Sequence, residues 1–100
     1  MSLEQLTGRV RQAVGAESGL DATVKFVFGE DGVIYIDGAS KPNTVDNQDR
    51  DAKITLTVSM ADFERIIDHQ LNPKLALMTG KMRLRGDIRI AMRLDKVFGT

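Results

Sequence analysis

Apolar and polar residues alternate with a period of two in several stretches of the chain, and this pattern predicts β-strands. The clearest stretch is 52–58, where apolar residues at every second position are separated by Lys or Thr. Residues 22–28 alternate in the same way, and residues 33–37 are apolar on both sides, which predicts a more central strand. Between them Glu30-Asp31-Gly32 supplies turn residues, so the two stretches are predicted to form a β-hairpin.

Two further strands are predicted with weaker patterns. The polar segment 38–51 is interpreted as a loop with a short strand near 40–45. Because Pro42 cannot donate a backbone hydrogen bond, that strand should lie at a sheet edge. Residues 81–85 alternate again, with Met82 and Leu84 predicted to point inward.

Helical spacing and capping residues predict four helices. Residues 2–14 carry apolar side chains at amphipathic spacing. Ser59 and Asp62 form a capping-box pattern at the start of a second helix. Asn72-Pro73 opens a third, short helix that ends at Thr79-Gly80. Asp87 is placed to cap a last helix that runs to about residue 98.

This order of elements predicts an α+β fold. It is a mainly antiparallel β-sheet covered on one face by helices. At 100 residues the chain is predicted to be a single domain, residues 1–100, large enough for one ordinary hydrophobic core. The absence of cysteine excludes disulfides and thiolate metal sites, and the first residues lack the pattern of a signal peptide. We expect a cytoplasmic protein.

The charge is distributed unevenly along the chain. Residues 1–72 carry seven basic and twelve acidic groups, whereas residues 73–100 carry seven basic and two acidic groups. Either the two parts attract each other within the fold, or the basic part binds an anionic partner. The candidate contacts for an anionic head group or a membrane are Lys81, Arg83, Arg85, Arg89, Arg93 and Lys96.

A series of residues in the second half of the chain resembles the signature of the sterol-carrier-protein (SCP-2) family. The preceding strand and helix start around Ile54–Phe63 are similar to the same family, and the likeness extends over about residues 5–98. The short form looks like a stand-alone bacterial member. The residues that carry the resemblance are Asn72-Pro73, Ala76, Met78, Gly80-Lys81, Leu84, Gly86-Asp87, Ala91-Met92 and Leu94.

The resemblance implies a five-stranded sheet with an apolar tunnel between sheet and helices. It implies a tunnel ligand such as a fatty acid, a fatty acyl-CoA, a sterol-like lipid or an isoprenoid. It implies no catalytic residue, and from the motifs present we expect no cofactor and no metal. We expect a non-catalytic carrier that binds and transfers such a lipid. The alternative is an accessory subunit that docks an enzyme of lipid or quinone metabolism and presents its apolar substrate.

Residues on the inward faces of the predicted elements are the candidates for the ligand-binding surface. The last helix is more apolar than a one-sided stripe requires, and methionine side chains suit an adaptable lining. Both features are also compatible with ordinary core packing. The candidate lipid-binding residues are Phe26, Ile34, Ile54, Leu56, Phe63, Ile67, Leu75, Met78, Met82, Leu84, Ile88, Ala91 and Met92.

Other chemistry has little support in the sequence. The single histidine, His69, is interpreted as a surface residue at a helix end, and Asp46, Asp49 and Asp51 as part of a solvated loop. A nucleic-acid partner is not expected, because no aromatic residue for base stacking lies between Lys81 and Lys96.

Overall fold

The computed structural model describes residues 2–98 and has the predicted α+β order of elements. A 3₁₀ turn at Gly29–Asp31 joins the first two strands. The helices and strands are α1 (Leu3–Val14), β1 (Thr23–Val27), β2 (Val33–Asp37), β3 (Thr44–Asp46), β4 (Ile54–Val58), α2 (Met60–Ile67), α3 (Pro73–Met78), β5 (Met82–Gly86) and α4 (Ile88–Val97).

The five strands form one mainly antiparallel sheet in the order β3-β2-β1-β4-β5. The β1–β2 pair is the predicted hairpin. The short strand predicted near 40–45 is β3, which lies at an edge as expected but begins at Thr44, after Pro42. In the centre of the sheet β4 runs parallel to β1 and pairs with the edge of β1 that β2 leaves free. The chain reaches this position through β2, β3 and the loop that follows β3. The opposite edge is β5, which pairs with β4 alone among the described strands.

Strand register places the apolar residues of four strands on one face. Phe26 on β1 lies opposite Ile34 on β2 and Leu56 on β4, and Leu56 in turn lies opposite Leu84 on β5. The helices cover this face: α1 contacts β3, α3 contacts β5 and α4 contacts β4. The predicted one-sided cover of the sheet is therefore confirmed, and the core lies between these two layers.

The second face of the sheet is partly covered by the loop that precedes β4. Lys25 on β1 forms an ion pair with Asp49 at 2.8 Å. The guanidinium of Arg50 lies 5.0 Å from the centre of the Tyr35 ring, and the Tyr35 hydroxyl donates to the carbonyl of Asp51 at 3.2 Å. These contacts bury Tyr35 and explain why β2 is apolar on both sides.

Side chains cap the helices, with one difference from the prediction. Ser59 accepts a hydrogen bond from the backbone N–H of Asp62 at 3.0 Å, as predicted. The Asp62 carboxylate does not complete the capping box and instead lies 3.5 Å from Arg65, because aspartate is too short to reach back easily. A complete capping box forms at α1 between Ser2 and Gln5.

Candidate functional site

A cavity of about 190 Å³ lies between the helix-covered face of the sheet and three of the helices. Strands β1, β4 and β5 form one side, and α2, α3 and α4 with the residue that follows α4 form the other. Its lining is almost entirely apolar, as expected for a site that would hold an apolar molecule. The lining residues are Phe26, Leu56, Phe63, Ile66, Pro73, Lys74, Leu77, Met82, Leu84, Ile88, Ala91, Met92, Leu94, Asp95 and Phe98.

Aromatic rings build one wall of this cavity. Phe63 on α2 lies 4.6 Å from Phe26 and 5.3 Å from Phe28, measured between ring centroids. Phe98, directly after α4, stands edge-on to Phe26 at 6.2 Å and to Phe63 at 6.1 Å. The four phenylalanines of the chain thus form one cluster, in geometries that aromatic pairs favour. The cluster joins α2 and the end of α4 to β1.

Charged groups are confined to one part of the lining, at Lys74 and Asp95. Both residues also border a neighbouring polar depression, together with His69 and Asn72. Lys74 is exposed, so its ammonium group can reach solvent while its alkyl stem lies along apolar residues. The cavity therefore has an apolar interior and a polar end next to Lys74.

Two polar contacts hold α4 in place beside the cavity. Asp87 caps the helix by accepting from the backbone N–H of Arg89 at 3.0 Å. The side-chain hydrogen bonds from Arg89, together with the backbone hydrogen bond from the same residue, lower the pKa of the Asp87 carboxyl to about 2. Arg93 donates to the carbonyl of Leu20 at 2.8 Å and so ties α4 to the segment before β1.

Eight of the thirteen candidate lipid-binding residues line the cavity together. They come from three strands and two helices, which the sheet order brings side by side. These residues are Phe26, Leu56, Phe63, Met82, Leu84, Ile88, Ala91 and Met92.

The other five candidates lie elsewhere. Ile34 and Ile54 point to the helix-covered face but are fully buried in packed core. Ile67 is partly buried against the core outside the cavity lining. The inward orientation predicted for Leu75 and Met78 is wrong, since their side chains are exposed. The helix α3 is oriented so that Ala76 faces the core and Leu77 faces the cavity, which leaves Leu75 and Met78 on the solvent side.

Seven lining residues were not among the candidates. Ile66 and Leu94 belong to apolar stripes that the sequence showed, but the neighbouring positions were equally apolar. The positions of Lys74 and Asp95 at the cavity could not be predicted from the sequence, because they depend on how α3 and α4 face each other. The residues missed are Ile66, Pro73, Lys74, Leu77, Leu94, Asp95 and Phe98.

The six basic candidates do not form one surface. Arg83 and Arg85 on β5 lie opposite Thr57 and Thr55, on the sheet face away from the helices. By contrast, Arg89, Arg93 and Lys96 lie on α4, in the helical layer, and Lys81 is exposed just before β5. A single anionic head group therefore cannot contact both groups.

Neither a metal site nor a membrane-spanning helix is present in the described residues 2–98. They contain no group of three or more His, Asp or Glu side chains arranged to hold a metal ion. None of the helices in this range has the length and apolar character needed to cross a bilayer. His69 is exposed at the polar depression.

Comparison with known proteins gives a relative that is longer than this chain. Hydroxysteroid dehydrogenase-like protein 2 of Mus musculus is 33% identical over 72 residues. The match covers 69% of this chain but only 15% of the mouse protein. This chain is therefore similar to one part of that protein.

Solved structures show the same fold. The sterol carrier protein domain 2 of Helicoverpa armigera superposes with a TM-score of 0.73 at 22% identity, covering 94% of this chain and 83% of that one. Palmitated SCP2L2 of Aedes aegypti superposes with a TM-score of 0.70 at 24% identity, covering 100% and 96%. These likenesses confirm the predicted five-stranded α+β architecture.

A sequence model of the SCP-2 sterol transfer family matches residues 3–99. The match takes in every helix and strand described above, including the three helices that enclose the cavity. The bacterial type expected from the short chain is not borne out by these comparisons. The chain belongs to the SCP-2 sterol transfer family.

Proposed function

We propose that this protein binds a lipid with a long hydrocarbon chain in the cavity and transfers it without chemical change. The observation that carries the proposal is the apolar lining between sheet and helices. Each Å² of apolar surface that a bound chain removes from water contributes about 25 cal/mol to binding. The phenylalanine cluster provides a preformed wall for such a chain, so little has to be ordered on binding.

The polar end of the cavity supports a more specific ligand class, a fatty acid or another acyl lipid with an anionic head group. Lys74 lies where a chain held in the cavity would reach the polar depression, and its ammonium group can pair with a carboxylate or phosphate. Asp95 borders the same end, so a bound anion would have to lie on the Lys74 side of it. The Aedes aegypti relative is palmitated, which is consistent with an acyl ligand.

Titration of the delipidated protein with palmitic acid tests the proposal. The Met82→Trp variant fills the cavity from β5, and we expect it to weaken binding by about tenfold or more, because the ring takes the volume of the acyl chain. Thr57→Trp is the matched control, since it places the same ring on the opposite face of the adjacent strand. Failure of palmitic acid and of a panel of other apolar lipids to bind would overturn the proposal.

A second candidate function is that of an accessory subunit that presents an apolar substrate to an enzyme. It is favoured by the mouse relative, of which this chain matches only a small part and whose name refers to a dehydrogenase. The two candidates differ in whether an enzyme partner is needed. Transfer of palmitic acid between vesicles by the purified chain alone supports the carrier, whereas transfer only in the presence of a co-purifying enzyme supports the accessory role.

A further inference from the structure

The strand β5 presents a free edge of the sheet. It pairs with β4 on one side, and no other described strand lies on its second side. Its five residues contain no proline, and Arg83, Arg85 and Gly86 are exposed. A sheet edge of this kind carries unpaired backbone N–H and C=O groups, to which an extended segment of another chain can add as a further strand.

The hydrogen-bond pattern of the β4–β5 pair shows which backbone groups are free. Asp87 donates its backbone N–H to the carbonyl of Lys53 at 3.1 Å, and these two residues continue the register of the pair. Hydrogen-bonded and non-hydrogen-bonded residue pairs alternate along antiparallel strands. Arg83 and Arg85 therefore direct their backbone groups toward β4, whereas the N–H and C=O of Leu84 point away from it. Neither group of Leu84 forms a backbone hydrogen bond with a turn, loop or helix within residues 2–98.

Two arginines give this edge a positive charge on one face of the sheet. Arg83 and Arg85 lie on the face away from the helices, opposite two threonines of β4. Neither guanidinium forms an ion pair with a described residue. The nearby Asp87 does not neutralise them, because its carboxylate is held by Arg89 at 2.8 Å. The acidic loop before β4 lies over β1 and β2 rather than over β5.

We propose that β5 binds an extended segment of a partner protein as a sixth strand, and that this segment carries an apolar residue between two acidic ones. The apolar residue lies opposite Leu84 on the helix-covered face and exchanges both backbone hydrogen bonds with it. The two acidic residues then lie opposite Arg83 and Arg85 on the other face, where they form charge-assisted hydrogen bonds. This docking involves no lipid and is separate from the proposed function.

The same arginines argue against a second copy of the chain as the partner. An antiparallel pairing that sets Leu84 against Leu84 of another copy places Arg83 directly opposite Arg85 at both ends. Shifting the register by two residues, which keeps the apolar side chains on one face, sets Arg83 or Arg85 against its own copy. Like charges directly opposite each other destabilise a strand pair, whereas an acidic strand removes this repulsion.

A synthetic peptide of sequence Thr-Thr-Glu-Val-Glu-Thr-Thr, blocked at both ends, tests the free edge of the full chain. We expect it to bind in an NMR titration and, at saturation, to slow hydrogen exchange of the Leu84 amide by about tenfold or more. Methylating the backbone nitrogen of the valine should weaken binding by about tenfold or more, because this N–H meets the carbonyl of Leu84. Methylating the second glutamate is the matched control, since its N–H points away from β5. Both changes are made in the peptide, so they leave the folding of the protein unaffected.

Matched charge variants test the role of the two arginines. Arg83→Gln with Arg85→Gln should weaken peptide binding by about tenfold, the size expected for two cross-strand ion pairs. Lys41→Gln with Lys96→Gln also removes two exposed positive charges, but away from β5, and should change binding by about twofold or less.

Three results would overturn the proposal: no binding of the peptide, equal binding of its two methylated forms, or equal losses in the two pairs of variants. Protection of the Leu84 amide that rises with protein concentration in the absence of peptide would overturn it as well, since the edge would then bind a second copy.

Discussion

The ring of Phe63 on α2 packs against the ring of Phe26 on β1, with 4.6 Å between their centroids. Phe63 also meets the rings of Phe28 and Phe98, at 5.3 Å and 6.1 Å. One side chain thus connects α2, the sheet and the end of α4. Its packing is needed both for the core and for the wall of the cavity.

Replacing Phe63 should destabilise the protein strongly. Phe63→Ala removes a buried ring, and we expect the free energy of unfolding to fall by about 3–5 kcal/mol. Urea denaturation measures the change. Met78→Ala is the control, because that side chain is exposed and its loss should change stability by about 0.5 kcal/mol or less. A loss below about 1 kcal/mol in Phe63→Ala would contradict the packing described for the cluster.

Two alanines distinguish empty space from packed core. Ala91 on α4 lines the cavity, whereas Ala76 on α3 is fully buried outside it. Ala91→Leu should fill free volume, leave stability close to that of the unmodified protein and weaken palmitic acid binding. Ala76→Leu should overpack the core and cost about 1–3 kcal/mol. Denaturation and ligand titration of both variants check this, and a similar stability loss in both would show that the cavity is not available.

The role of Lys74 is tested by changing the charge of the ligand. Lys74→Met should weaken binding of palmitic acid by up to about fivefold, the size expected for loss of an exposed ion pair. Binding of the uncharged alcohol of the same length should not change. Lys81→Met removes an exposed lysine outside the lining and serves as the control. An equal loss for acid and alcohol would mean that Lys74 contributes only its alkyl stem.

Stability should depend on pH through Asp87. Hydrogen bonds from Arg89 lower its carboxyl pKa from 3.8 to about 2, so the folded protein holds this proton less tightly than the unfolded chain. The resulting stabilisation is complete above pH 3.8 and is lost as the pH falls toward 2. Asp87→Asn keeps a capping side chain without the titration. The stability difference between the two proteins should therefore shrink from pH 5 to about pH 2, and a constant difference would contradict the pKa shift.

Most of the sheet could be predicted because four of its strands have a readable apolar pattern, whereas β3 lies in a polar segment and is shifted from the predicted 40–45 to Thr44–Asp46. Alternation in β4 identifies which of its residues face the helices. The register of β4 with β5 places Leu56 opposite Leu84, so both face the same side. Sequence periodicity identifies a face, but it does not show which part of that face is filled. Ile54 and Leu56 lie on the same side of β4, yet only Leu56 reaches the cavity.

The short helix α3 could not be oriented from its sequence. Four consecutive apolar residues, 75–78, leave no polar side that would mark the surface. In the structure Ala76 enters the core, Leu77 lines the cavity, and Leu75 and Met78 face solvent. The packing of α3 against β5 determines which of these four residues face inward. Packing between two separate elements leaves no pattern in the sequence of either one.

The parallel pairing of β1 with β4 affects how the chain must fold. Phe26 meets its neighbour Leu56 only after the intervening strands have turned back, and Phe98 arrives from the very end of the described chain. Contacts between residues so far apart in sequence slow folding. During synthesis the part of the apolar side that α4 covers, next to β4, stays exposed until this last helix has emerged, which makes a chain stalled before α4 a substrate for chaperones or for aggregation.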